Sequence, residues 1–214
     1  MDHIFELHKE YVKLPKFACG LSMGGLTIYE LVLRMERSFD AVLLFSPAIM
    51  IRPNEKILKN IVVDKNNLFD KHGYCAYYTD KLHTEKYPLN PNQSIICSNL
   101  AAIKDMKADK LNIIGYVIKS SAKMLLDIMS QIPDDAIEKP PERVLNFDVP
   151  FCYFQGGKDV LVNEDAQKIL MSHAESKAES EAHFYEYAMH DLWHEIEIEE
   201  MIPISINFVK KFLK

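Results

Sequence analysis

Lys16-Phe17-Ala18-Cys19-Gly20-Leu21-Ser22-Met23-Gly24-Gly25 is the stretch whose reading decides the fold. Lys16 to Leu21 reads as a short buried strand, and Met23 opens a helix. Ser22 stands between them, at the apex of a sharp turn. Gly20, Ser22 and Gly24 match G-x-S-x-G, the nucleophile-elbow pattern, whose required context is a strand before and a helix after. Small residues beside the serine let strand and helix approach closely around a strained turn. That strain lifts the hydroxyl clear of the sheet, where a base can reach it.

Outward from this turn the chain alternates strands and helices. The helix runs to about Arg37, with Ile28, Leu31, Val32 and Met35 on one face. Ala41-Val42-Leu43-Leu44-Phe45 is a continuous apolar run ended by Ser46-Pro47. It suits a strand in the middle of a parallel sheet covered on both faces. Strand, helix, strand in this order predicts an α/β fold. Upstream, residues 2–12 read as a short amphipathic helix broken at Leu14-Pro15. The rhythm is lost from Pro47 to Asn146. A helix is expected over Pro53–Val62, irregular tyrosine-rich structure over Asp64–Pro91, and the strongest helix over Asn112–Ile132. The rhythm resumes with a strand at Val149–Gln155, a helix capped by Asn163, and a last strand at Ala182–Tyr187. A C-terminal helix begins near Ile202-Pro203, with Ile202, Ile206, Val209 and Leu213 as its buried stripe. The organisation is therefore one domain in three parts: core 1–47, a mainly helical insertion 48–146, and core 147–214.

Bulk properties narrow the function. With 214 residues and 48% hydrophobic content, one sizeable core is expected. A net charge of −6 argues against a nucleic-acid binder, which needs a basic face. No run of about 18 apolar residues marks a membrane span, and Met1–Lys13 has no signal-peptide core. None of the four cysteines forms C-x-x-C, and Cys19 and Cys152 read as small buried hydrophobes. A cytoplasmic location is expected, and Asn92-Gln93-Ser94 is read as a chance match to a glycosylation site.

A nucleophilic serine needs a base, and the base needs an orienting acid. Behind an elbow the order is serine, acid, histidine. Asp159 follows the strand that ends at Gln155, in Gly156-Gly157-Lys158-Asp159, and His190 follows the last strand, in Ala188-Met189-His190-Asp191. Loops at the carboxyl ends of parallel strands share one rim of the sheet. Ser22, Asp159 and His190 are thus the candidate catalytic residues. Glu164 and Asp165 are rival acids, which a helix N-terminus explains. His194 is a rival base; with His190, Asp191 and Glu195 it invites a metal reading, but the order is not H-E-x-x-H and no third ligand is evident. No metal and no cofactor are expected.

With these pieces in place the chain resembles the α/β-hydrolases, and among them the monoacylglycerol lipase and lysophospholipase group. The matching residues are Gly20-Leu21-Ser22-Met23-Gly24-Gly25, Leu43–Ile49, Val149-Pro150-Phe151 leading to Gly156-Gly157-Lys158-Asp159, and His190–Glu195. The resemblance implies Ser22 as nucleophile, Asp159 as orienting acid, His190 as base and the Met23 N–H as oxyanion donor. It implies a small lipid ester as substrate, cleaved through an acyl-enzyme, and residues 48–146 as a cap, with peripheral membrane contact through that cap left open by the sequence. Tyrosines between Tyr74 and Tyr87 are candidates for an acyl pocket.

The chain departs from that family in one respect. Its members carry strands before the elbow and a His-Gly loop that donates a second oxyanion N–H, whereas here Met1 lies only 21 residues before Ser22. His72-Gly73 falls after the elbow and reads as coincidence. The expected sheet is therefore the C-terminal part of the family's mainly parallel sheet, with an exposed edge open to self-association. A weakly active or inactive remnant and another hydrolase activity, such as a peptidase, are the alternatives.

Overall fold

The computed structural model describes residues 13–34, 39–50, 74–75, 96–109, 117–118 and 138–213. Its centre is a four-stranded sheet, β1 (Phe17–Leu21), β2 (Ala41–Phe45), β5 (Phe151–Gly156) and β6 (Glu181–Tyr185), in the order β1-β2-β5-β6. All three pairings are parallel, with Gly20 opposite Leu44, Leu44 opposite Tyr153 and Tyr153 opposite Ala182. The helices are α1 (Met23–Leu33), α2 (Leu100–Ala108), α3 (Glu142–Leu145), α4 (Asp165–His173) and α5 (Ile198–Lys210).

The period of two along each strand separates the core into two layers. Val42, Leu44, Phe151 and Tyr153 pack with Leu26, Tyr29 and Val32 of α1 and with Ala166, Ile169 and Leu170 of α4. Ala41, Phe45, Cys152 and Phe154 face the other way, onto Met201 and Phe208 of α5. Every residue of β5 is buried, which is why its sequence is apolar without alternation. Phe154 stacks on Phe45 at 4.5 Å and on the His183 ring at 5.3 Å. The α/β expectation and the parallel order hold.

Several local expectations need correction. Val117–Ile118 is a strand (β4) paired antiparallel with Tyr74–Cys75 (β3), so no continuous helix spans Asn112–Ile132. The β-branched pair there finds a strand partner distant in sequence, and that pairing outweighs the helical period. Helix α5 starts at Ile198, and Pro203 lies inside it rather than at its start. Its buried face is Met201, Ser205 and Phe208, whereas Ile202, Ile206 and Leu213 are exposed. Apolar residues occur all round this helix, so periodicity alone could not select the face. Strand β6 ends at Tyr185, two residues early, where Ala188 N donates back to the Tyr185 carbonyl (3.2 Å) and the chain turns. Cys152 is buried as expected, but Cys19 is exposed on β1, the edge of the sheet among the described residues.

The helices expected over residues 2–12 and 53–62, most of the 64–91 segment, His72-Gly73 and Asn92–Ser94 lie outside the described residues. No helix among the described residues is long and apolar enough to cross a membrane.

Removing the ring that joins both neighbours of β5 should be costly. Phe154→Ala is expected to lower unfolding free energy by about 3–5 kcal/mol, read as a fall in the urea midpoint at unchanged slope.

Candidate active site

The site is built on three strand ends. Strand β1 ends at Leu21 and α1 begins at Met23, leaving Ser22 alone in the turn at φ 52° and ψ −115°. Three backbone bonds hold it there. Ser22 N donates to Phe45 O (2.9 Å), while Ser22 O accepts from Leu26 N (3.0 Å) and Ala48 N (2.9 Å). A Cβ at Gly20 would lie 2.5–2.6 Å from backbone atoms of Gly24 and Gly25, and one at Gly25 would lie 2.5 Å from the Pro47 Cβ. A Cβ at Gly24 meets nothing within 4 Å. Close approach thus needs Gly20 and Gly25; the final glycine of G-x-S-x-G is not the one that makes room.

Asp159 lies past the end of β5 and is fully buried. Its Oδ1 accepts from Leu161 N (2.8 Å) and Val162 N (3.0 Å), and its Oδ2 from Gln155 Nε2 (3.3 Å) and His190 Nδ1 (2.8 Å). Burial pushes this carboxyl's pKa up, but the bond to His190, its charge and the two backbone N–H groups outweigh burial, and the net shift is downward. Gly156 and Gly157 set where the His190 loop can run. An added Cβ would lie 2.2 Å from Met189 O at Gly156 and 2.6 Å from Glu186 O at Gly157. Lys158 N also donates to Ala188 O (2.9 Å). The 186–190 loop therefore passes directly over the turn that carries Asp159.

His190 completes the array. An ionised carboxylate only accepts, so Nδ1 carries the proton and Nε2 accepts from Ser22 Oγ at 2.8 Å. Ser22, His190 and Asp159 are thus in one hydrogen-bonded line. Met23 is the first residue of α1, where helical N–H groups lack intrahelical partners. The rivals lie elsewhere: His194 Nδ1 pairs with Asp191 Oδ2 (2.8 Å), and Glu164 and Asp165 pair with Lys168 at the start of α4. Three site residues were not anticipated. Gln155 lies buried in β5, Glu195 stands in the sequence as a metal candidate and as the last residue of the matching run His190–Glu195 with no role attached, and nothing in the sequence singles out Ser98.

A possible ion site lies at the other end of the sheet. Cys152, Glu181 and His183 bring ligand atoms within 4.8 Å of one another at the amino ends of β5 and β6. Lys211 and His183 already pair with Glu181, and burial pushes the Cys152 thiol up to about 12. A neutral thiol beside a satisfied ion pair is a poor metal ligand.

An elbow serine, an acid and a histidine at the carboxyl ends of parallel strands define the α/β-hydrolase class. Residues 1–197 match the family described as serine aminopeptidase, S33, and the chain belongs to that family. It is 22% identical to human monoglyceride lipase over 209 residues, covering 97% of this chain and 62% of that protein. The solved structure of a soluble variant of Saccharomyces cerevisiae monoglyceride lipase, in complex with a substrate analog, superposes with a TM-score of 0.68 at 16% identity. That match covers 100% of this chain and 68% of the yeast chain. The Paleococcus ferrophilus monoacylglycerol lipase gives 0.63 at 17% identity, over 95% of this chain and 71% of that one. At these identities the structural likeness is one of fold.

Two measurements test this local account. Gly25→Ala should destabilise the protein through the Pro47 contact. Gly24→Ala should be neutral or stabilising by up to about 1 kcal/mol, since alanine is the better helix former. The lowered Asp159 pKa fixes a sign as well. Its contribution is fully present above the unfolded carboxyl value of about 3.9 and is lost as pH falls through the lower folded value. Unfolding free energy measured against pH should therefore fall in that acid window less steeply for Asp159→Asn than for the parent.

Proposed function

We propose that this chain is a serine ester hydrolase acting on monoacylglycerol- or lysophospholipid-type substrates through an acyl-enzyme. The observation that carries the reading is the pair of 2.8 Å contacts, Ser22 Oγ to His190 Nε2 and His190 Nδ1 to Asp159 Oδ2. Ser22 Oγ adds to the ester carbonyl carbon as its proton passes to His190 Nε2. The carbonyl oxygen takes up the negative charge, and the Met23 N–H stabilises it. Collapse expels the alcohol, which leaves with the proton from His190. Water then repeats the sequence on the acyl-Ser22 ester, releasing the fatty acid and the free serine. Asp159 holds the imidazole in the tautomer that the first step needs. The human and yeast relatives, both monoglyceride lipases, support the lipid class, and residues 48–146 are the cap proposed to select the acyl chain.

Two other readings have an observation behind them. The family description favours a peptidase, and a panel of monoacylglycerols against aminoacyl amides separates the two. The edge position of β1 among the described residues, with Cys19 exposed, favours a non-hydrolytic protein that adds a strand from another chain. That reading requires oligomers and no turnover by the purified chain.

A fluorophosphonate probe is expected to label the protein but not Ser22→Ala, and equal labelling of both would remove Ser22 from the mechanism. Asp159→Asn is expected to lower kcat by about 10⁴ with much less effect on KM, because the imidazole is then held in the wrong tautomer.

A further inference from the structure

We propose that Glu195 is a positioning residue for His190, acting through a clasp between the His190 loop and residues 96–99. The inference rests on the hydrolase reading above.

Glu195 is almost wholly buried, at 1% exposure. A buried carboxylate is costly unless its oxygens are satisfied. Here Oε1 accepts from Ser98 N (2.7 Å) and Met189 N (3.3 Å), and Oε2 accepts from the Ser98 hydroxyl. Among the described residues its hydrogen-bond partners are these uncharged donors. The arrangement parallels that of Asp159, whose carboxylate is held by backbone N–H groups beside the histidine.

These bonds matter through the residues that make them. Met189 precedes His190 and donates its N–H to Glu195. Asp191 follows His190 and donates its N–H to Ile96 O (2.7 Å). The backbone on both sides of the histidine is therefore gripped by residues 96–98 or by the carboxylate bound to them. The other end of the loop is held as well. His194 O accepts from Asn99 Nδ2 (3.0 Å) and from the Cys97 thiol (3.7 Å). Asn99 also caps α2, its Oδ1 accepting from Ala101 N and Ala102 N. The start of α2, in the long segment between β2 and β5, is thus tied to the loop that carries the base.

Glu195 has no hydrogen bond to Ser22, His190 or Asp159, so its effect must pass through the backbone at Met189. With Asp159 fixing the ring, this grip sets where Nε2 stands relative to Ser22 Oγ. Misplacing a reacting group by about 1 Å can cost on the order of 10² in rate.

The test uses the full chain and the second-order rate constant for fluorophosphonate labelling of Ser22, measured on variants whose urea curves show them fully folded under the labelling conditions. Glu195→Ala is expected to lower that constant by about 10². Ser98→Ala and Glu195→Gln each disturb only part of the clasp, so smaller losses are expected, and they carry the test if Glu195→Ala does not fold. In a His190→Ala background the same changes should have no further effect, since they act through the missing ring. Parent-like constants in the folded variants would overturn the inference. So would an equal fold-loss with and without His190. Failure of the parent to label at Ser22 would instead remove the hydrolase reading. The clasp is then read from hydrogen exchange at His190 Nδ1: faster exchange in the variants supports it, and unchanged exchange overturns it.

Discussion

The carboxyl edge of the sheet depends on the backbone of one residue, Ser22. A non-glycine residue at positive φ costs of order 1–3 kcal/mol. The cost is met locally, because Ser22 N closes the β1–β2 ladder on Phe45 while Ser22 O both starts α1 and receives Ala48 N. Three such bonds at about 1 kcal/mol each are of the same size as the strain. The neighbouring strand repeats the device, with Ser46 at φ 37° beyond β2 and its N–H on Phe154 O. The two turns brace each other through the bond from Ala48 to Ser22. The serine backbone is therefore set by strand pairing, and the hydroxyl it presents meets His190.

The second half of the site is fixed by a crossing of chains. The loop from β6 passes over the turn from β5 so closely that only glycine fits at positions 156 and 157. That contact sets the height of His190 above Asp159 before any side-chain bond forms. Gln155, Leu161 and Val162 then orient the carboxylate, and Glu195 with Ile96 holds the backbone N–H groups of the residues on either side of the histidine. The line from Ser22 to Asp159 is thus an outcome of packing at two points, one at Gly20 and Gly25 and one at Gly156 and Gly157.

Much of this was legible from local pattern. Ala41–Phe45 and Phe151–Gln155 are apolar without alternation, and only a doubly covered strand requires that; the turn residues after each strand then put Ser22, Asp159 and His190 on one rim. What escaped depends on contacts distant in sequence. Glu195 could not be distinguished from a surface charge until residues 96–98 were placed beside it. The buried face of α5 was ambiguous because Met201 and Phe208 compete with Ile202 and Ile206 on a helix apolar all round. The segment around Val117 showed a helical period, yet Val117–Ile118 pairs with a strand some forty residues earlier.

The order β1-β2-β5-β6 also has a consequence for assembly. The bond from His190 to Ser22 joins residues 168 apart, so on the ribosome it cannot form until nearly the whole chain has emerged. Until β5 arrives, β2 has an unpaired edge and two apolar faces that α1 alone does not cover. Closing the long connection between β2 and β5 carries an entropy that rises only by about 0.6 kcal/mol per doubling of length. Thermodynamics therefore sets little limit on that connection. Its length instead tends to slow folding and to prolong the time an aggregation-prone nascent sheet stays open.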